Sequence, residues 1–122
     1  EMMDRVTIRR YGAYRFGMVL VPNVLTGSDA AQHMLDRHDG VDVAMVVFRD
    51  GRIVFRCREG KVMDLPAIGV LFNGGGASCS AYGSLEGLVP EVSADAWSDV
   101  LLVIDRKLKE YTSRETLINQ AK

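Results

Sequence analysis

The sequence has few cysteines and no excess of charge of either sign. Its 122 residues include two cysteines, Cys57 and Cys79, which are too few for a disulfide framework or a four-ligand zinc site. Fifteen basic and sixteen acidic residues give a formal net charge of -1, so the whole chain lacks the field of a strongly basic nucleic-acid binder. We expect two buried thiols, and any basic surface must be local.

The chain also lacks a long hydrophobic run. The longest such run, residues 17–25, is interrupted by Pro22 and Asn23 and is too short to span a bilayer. No segment combines a positive start, an apolar centre and a small-residue cleavage site, so none matches a signal peptide. We therefore expect a cytoplasmic protein with no membrane partner.

Motifs that carry catalysis are missing too. The two histidines, His33 and His38, lie five residues apart on an expected helix and point in different directions. Neither an HExxH motif nor a carboxylate pair accompanies them, and no serine–histidine–aspartate order or GxGxxG motif occurs. The residues thus predict no catalytic group and no metal site in this chain.

What is present is an ordinary globular composition with clear element signals at the start of the chain. Hydrophobic residues make up 48% and charged residues 25%, which predicts one domain with one packed core. Residues 7–10 and 15–21 are expected to form a hairpin. Ser28 is expected to cap a helix that ends near His38, with Gly40 as its stop.

The middle of the chain predicts a pair of strands. Residues 41–48 are rich in β-branched residues, and from Val43 onward both the odd- and the even-numbered positions are apolar, which is typical of a strand covered on both faces. Asp50-Gly51 is a hairpin turn signal. The returning strand, residues 52–58, alternates between apolar and mostly basic side chains.

The last third of the chain completes the expected fold. Asp64 can cap a short helix, residues 79–85 predict a strand with a further one to about Val89, and Ser93 can cap a final helix that frays after Tyr111. The fold class is therefore α/β: a single domain, residues 1–122, with a mixed β-sheet of about five strands packed by about three helices.

The segment NGGGAS, residues 73–78, is the first candidate site. A helix cap and turn would explain one glycine. Three in a row, flanked by Asn73 and Ser78, also favour a backbone that admits a close neighbour or presents N–H groups to an anion. An expected helix before it and a strand after it exclude a P-loop. The residues alone leave both alternatives, a structural turn and ligand contact, open.

The segment FRCRE, residues 55–59, is the second candidate. Arg56 and Arg58 share one face of a strand, which is usually a solvated face. If that face looks toward the glycines, the two guanidinium groups would suit a phosphate through their fork geometry.

Residues 41–83 resemble the substrate-binding domain of the DHH phosphoesterases, the DHH-associated domain, in the order and spacing of these segments. The resemblance covers about a third of the chain. It places Arg56 at the family's arginine and Cys57 at the serine that follows. Gly74, Gly75 and Gly76 match the family's glycines.

The resemblance also has two departures. Ala77 stands where the family has a histidine, so Asn73, Ser78 or Ser80 would have to replace that donor to phosphate. The Asp-His-His motif of the family's catalytic domain does not occur in this chain.

Taken together, the resemblance implies the substrate-binding part of a longer phosphoesterase. The site would comprise Arg56, Asn73, Gly74, Gly75, Gly76, Ala77 and Ser78. These residues would hold the phosphate or terminal nucleotide of a short oligonucleotide, cyclic dinucleotide or related phosphate ester. Hydrolysis would belong to an N-terminal DHH domain carrying manganese or another divalent metal, and no cofactor is expected in this domain.

Two other functions remain open at this stage. Ala77 favours a non-catalytic interaction or regulatory module whose phosphate loop has degenerated. Alanyl-tRNA synthetases carry an RNA-binding appendage of the same domain type, although near-neutral charge argues against an extended RNA footprint. The sequence also leaves open whether the protein is a homodimer.

Overall fold

The elements of the fold come from a computed structural model, which describes residues 6–12, 14–21, 27–58, 65–77, 80–93 and 95–121. In chain order they are β1 (Thr7–Tyr11), β2 (Tyr14–Val21), α1 (Gly27–Arg37), β3 (Val43–Phe48), β4 (Arg52–Cys57), α2 (Leu65–Leu71), β5 (Gly75–Ala77), β6 (Ser80–Ser84) and α3 (Trp97–Ala121). No helix in these ranges is long and apolar enough to cross a bilayer.

The six strands form one mixed sheet in the order β1-β2-β3-β4-β6-β5. Only β2 and β3 run parallel, and α1 connects them, as a parallel pair requires. The remaining neighbours are antiparallel. The α/β class with a mixed sheet and three helices is confirmed. The sixth strand is β5, which is built from the segment expected to be a glycine loop.

The centre of the sheet is buried on both sides, but by different helices. Helices α2 and α3 cover one side, where a cluster of buried side chains includes Phe16, Met45, Phe55, Ile68, Phe72, Val100, Ile104 and Leu108. Helix α1 covers the other side, where Val19, Ala31, Met34, Val41, Ala44, Val46 and Phe48 are buried together. All six residues of β3 are buried, which agrees with its apolar character on both parities.

A hydrogen bond fastens the edge strand β1 to α3. The Tyr11 hydroxyl donates to Asp105 Oδ1 at 2.8 Å. Burial and this bond raise the pKa of Tyr11. Burial acts to raise the pKa of Asp105 as well, but the bond from Tyr11 and the contact with Lys109 hold it below its usual range. The pair therefore keeps a neutral phenol donating to a charged carboxylate.

Several element boundaries differ from those expected. Helix α1 begins at Gly27, so Ser28 lies inside it rather than before it. Helix α3 continues to Ala121 instead of fraying after Tyr111. Residues 86–89 form one isolated bridge and no further strand. The Ser93 hydroxyl accepts the Ala96 N–H at 3.1 Å, just ahead of α3. Asp64 and Cys79 lie outside the described residues, whereas Cys57 is buried as expected.

Candidate functional site: the open half of the sheet

Helix α1 covers only part of its side of the sheet. It contacts β3 and β4, and its Met34 packs closely on β2 at Gly17. Strands β6 and β5 lie beyond it, and Ala77, Ser80 and Tyr82 are exposed on that side. We call the uncovered part the open face and define it by Arg56, Ala77, Ser80 and Tyr82.

The strand register brings Arg56 into one row with the end of the glycine segment. Arg56 of β4 is opposite Ser80 of β6, and Ser80 is opposite Ala77 of β5. Directly opposed residues in antiparallel strands point to the same face, with Cβ atoms about 4.5–5.5 Å apart. The resemblance linked Arg56 and Ala77, which are 21 positions apart in the sequence, and the sheet places them two strands apart.

Arg56 stands at the border between the covered and open parts. On its other side it is opposite Ala44, which is buried under α1. Arg56 itself is half-buried, while Ser80 and Ala77 are exposed. A guanidinium at this border is partly shielded from water by α1, which strengthens its attraction for an anion relative to a fully exposed charge.

Arg58 has a different role from Arg56. It follows the last residue of β4, and its guanidinium donates to the carbonyls of Leu35, His38 and Val41 at 2.8–3.2 Å. These carbonyls end α1 and its following turn, where unpaired acceptors and a partial negative charge collect. The expected alternation of β4 is confirmed, but Arg58 caps a helix and is not part of the open face.

Asn73 also has a structural role. The Gly74 N–H donates to the Gly69 carbonyl at 2.8 Å, and the Asn73 N–H donates to the Val70 carbonyl at 3.1 Å. With Asn73 in the left-handed region at φ 62°, this is a Schellman motif that ends α2. The helix-cap alternative for this segment is therefore correct for Asn73 and Gly74.

Two of the three glycines are required by the approach of β6. A Cβ added to Gly74 would lie 1.9 Å from the Tyr82 carbonyl oxygen, and one added to Gly76 would lie 2.4 Å from the Ala81 Cα. Gly76 also has φ 150°, which L side chains rarely adopt. The close neighbour expected from three glycines is thus the chain's own strand.

Gly75 is the exception among the three. The atom nearest to an added Cβ is the Tyr82 hydroxyl oxygen at 3.7 Å, which is an ordinary contact. Gly75 is directly opposite Tyr82, so the aromatic side chain extends over the glycine of the edge strand. Ser78, the last of the expected site residues, lies outside the described residues.

Tyr82 was not among the residues expected at the site. It is 60% exposed and lies on the open face, opposite Val54 on one side and Gly75 on the other. The alternation along β6 could have revealed it. Ala81 and Gly83 are buried, so Ser80 and Tyr82 must point to the other side of the sheet. An exposed aromatic ring on a sheet provides a surface on which a nucleobase can stack.

The acidic, histidine and cysteine side chains that could hold a metal are scattered over the fold. Within residues 6–12, 14–21, 27–58, 65–77, 80–93 and 95–121, no three such side chains lie together. The open face carries a guanidinium, a hydroxyl and an aromatic ring. A guanidinium and a hydroxyl are groups that can hydrogen-bond to an anion.

Comparisons with known proteins identify similar structures. No family model and no curated protein matches the sequence. An exopolyphosphatase-related protein from Bacteroides fragilis matches 92% of this chain with a TM-score of 0.60 and 15% identity. The C-Ala domain of Aquifex aeolicus alanyl-tRNA synthetase matches 84% with a TM-score of 0.50 and 13% identity. A pGpG-specific phosphodiesterase from Vibrio cholerae matches 87% with a TM-score of 0.50 and 7% identity.

These three proteins share the fold of this chain. The chain spans 34% of the Bacteroides protein and 36% of the Vibrio enzyme, but 98% of the C-Ala domain. A domain of this fold thus occurs in an exopolyphosphatase-related protein, in a phosphodiesterase and in a tRNA synthetase. At identities of 7–15%, the similarity extends to the fold and not to the activity.

Proposed function

We propose that this chain is the substrate-binding domain of a DHH-type phosphoesterase. It holds the phosphate or terminal nucleotide of a short oligonucleotide, a cyclic dinucleotide or a related phosphate ester. The observation that carries the proposal is the row of Arg56, Ser80 and Ala77 on the open face. The names of the Bacteroides and Vibrio proteins, which share the fold, support the phosphoester class.

The chemistry of the open face suits a nucleotide with a terminal phosphate. Arg56 provides planar, bidentate hydrogen bonding to phosphate oxygens, and the Ser80 hydroxyl is one strand away. Tyr82 lies two residues along β6 on the same face, about 7 Å from Ser80. A phosphate at Arg56 and a base stacked on Tyr82 would belong to the same nucleotide.

Hydrolysis requires a partner domain in this proposal. The described residues contain no ligand set for a metal, so a manganese or other divalent ion would be held by a separate N-terminal DHH domain. The contribution of this chain is orientation: it fixes one phosphate so that the scissile bond meets a metal site elsewhere.

Substitution of Arg56 tests the proposal. Arg56→Gln should weaken binding of a 5′-phosphorylated di-uridylate by roughly tenfold or more, because a charge-assisted bidentate contact contributes about 1.5–3 kcal/mol. The dissociation constant is measured by NMR titration of the 122-residue chain, which detects weak binding.

Arg52→Gln is the matched control. Arg52 lies on the same strand and face, but its guanidinium is paired with Asp50 at 2.7 Å and lies over the Phe48 ring at 4.7 Å. Its substitution removes the same charge and should leave the affinity within about twofold, because exposed charges contribute little individually. Equal losses in both variants would show general charge attraction and remove Arg56 from the site.

Ala77 supports a second candidate function, a non-catalytic interaction or regulatory module that kept the fold and lost phosphate binding. Ala77→His tests it, because the new imidazole would stand in the row of Arg56 and Ser80 on an exposed edge strand. If the first proposal holds, the dinucleotide should bind roughly three- to tenfold more tightly below pH 6.5, where the imidazole is charged. Unchanged affinity at every pH would favour the interaction module.

A third candidate is an RNA-binding appendage like that of alanyl-tRNA synthetases. The near-complete coverage of the C-Ala domain favours it, since that neighbour is a domain of almost the same extent. Binding of a tRNA acceptor stem with no measurable affinity for the dinucleotide would support this candidate over the phosphoesterase domain.

A further inference from the structure

Two arginines of the β1–β2 hairpin form a second basic feature, away from Arg56. Arg10 and Arg15 are directly opposed in the register of the hairpin, and both are exposed. Like charges directly opposed across two strands destabilise a sheet. The described part of the chain shows no ion pair for either guanidinium. Arg10 Nε donates to the Gly12 carbonyl at 3.1 Å, and the Arg15 guanidinium lies beside Gly40.

Both arginines lie on the same side of the sheet as the open face. The next residues along these strands on that side are Ile8 and Gly17, and Gly17 packs under Met34 of α1. Gly17 lies in one cross-strand row with Ala44 and Arg56. From the spacing of strands and residues, the Cα atoms of Arg15 and Arg56 are about 12 Å apart.

The end of α1 lies between the Arg10–Arg15 pair and Arg56. Arg58 pairs there with the terminal carbonyls, so the partial negative charge of the helix end is compensated. The Asp42 carboxylate accepts the Arg15 backbone N–H at 2.9 Å, so one negative charge lies beside Arg15. At a Cα separation of about 12 Å, Arg15 and Arg56 would hold two different phosphates.

We propose that the Arg10–Arg15 pair binds a second phosphate of the strand whose terminal phosphate is held at Arg56. The ligand class is then a single-stranded oligonucleotide long enough to cross the end of α1, in preference to a mononucleotide or a cyclic dinucleotide. This inference rests on the proposed function at Arg56. It also accounts for a like-charged pair that opposes the stability of its own hairpin.

The test compares two oligonucleotide lengths. Wild-type chain should bind a 5′-phosphorylated deca-uridylate more tightly than the di-uridylate. The double variant Arg10→Gln with Arg15→Gln should bind the deca-uridylate roughly three- to tenfold more weakly. Its affinity for the di-uridylate should be unchanged. For each phosphate that the variant no longer neutralises, the slope of log affinity against log salt should fall by about 0.7.

Matched variants make the outcome specific. Arg106→Gln with Lys107→Gln removes the same charge from α3, which packs on the opposite side of the sheet, and should change neither affinity. Thermal unfolding checks the fold. The hairpin double variant should unfold close to the wild-type temperature, because removal of the repulsion offsets loss of the bond from Arg10 to Gly12.

The outcomes separate this inference from the proposed function. Unchanged decamer affinity in the hairpin variant, with both oligonucleotides weakened by Arg56→Gln, would overturn the inference and keep the proposed function. Decamer binding weakened in the hairpin variant but unaffected by Arg56→Gln would overturn the role of Arg56. No binding of either oligonucleotide would overturn both. If the hairpin double variant loses as much affinity for a ten-residue polyglutamate as for the deca-uridylate, the arginine pair is a surface for acidic peptides. The nucleic-acid assignment is then overturned.

Discussion

Gly74→Ala should destabilise the protein by about 3 kcal/mol or more. The added Cβ would lie 1.9 Å from the Tyr82 carbonyl oxygen and 2.7 Å from its carbonyl carbon. Both are backbone atoms of β6, which is hydrogen-bonded to β4 and β5 and cannot move alone. Relief of the clash would disrupt either this ladder or the 2.8 Å bond from Gly74 to Gly69 that ends α2.

Gly75→Ala is the control from the same triplet. The nearest atom to its added Cβ is 3.7 Å away, so we expect a change within about 1 kcal/mol in either direction. Urea unfolding followed by the fluorescence of Trp97, which packs against the core, measures both variants. Similar losses from the two substitutions would contradict the assignment of the glycines to separate roles.

This difference within the triplet shows why the site could be predicted only in part. Sequence reasoning found that the glycines admit a close neighbour, but the neighbour is β6, 5–8 residues further along the chain. A clash with a backbone carbonyl depends on strand register, which the glycines themselves do not encode. Asn73 likewise ends a helix through its positive φ. Asn tolerates this conformation, but the residue type alone does not show that it is adopted.

The fold was more predictable than the site because its signals are local. Apolar residues on both parities of β3 and the Asp50-Gly51 turn determined the centre of the sheet. The expected end of α3 after Tyr111 was wrong because polar residues continue a helix that is anchored by Ile104 and Leu108 in the core. Tyr82 was missed because its exposure follows from the extent of α1 and not from its own strand.

Arg56 and Arg58 are separated by one residue and should respond to substitution in opposite ways. Arg58→Gln should lower the free energy of unfolding by about 2–4 kcal/mol, because bonds to the carbonyls of Leu35, His38 and Val41 are lost together. The end of α1 would also lose a compensating charge. Arg56→Gln should act mainly on dinucleotide affinity, because Arg56 lies in the row with the exposed residues Ser80 and Ala77.

Arg58→Lys tests the planar donor geometry of the guanidinium separately from its positive charge. An ammonium keeps the favourable interaction with the end of α1 but cannot donate in one plane to carbonyls from three residues. We therefore expect an intermediate loss of stability, measured by the same urea titration, with dinucleotide affinity unchanged in the folded protein. A stable Arg58→Gln variant that had lost dinucleotide affinity would reverse the assignment. It would place both arginines of FRCRE at the phosphate and leave the end of α1 to be compensated by solvent.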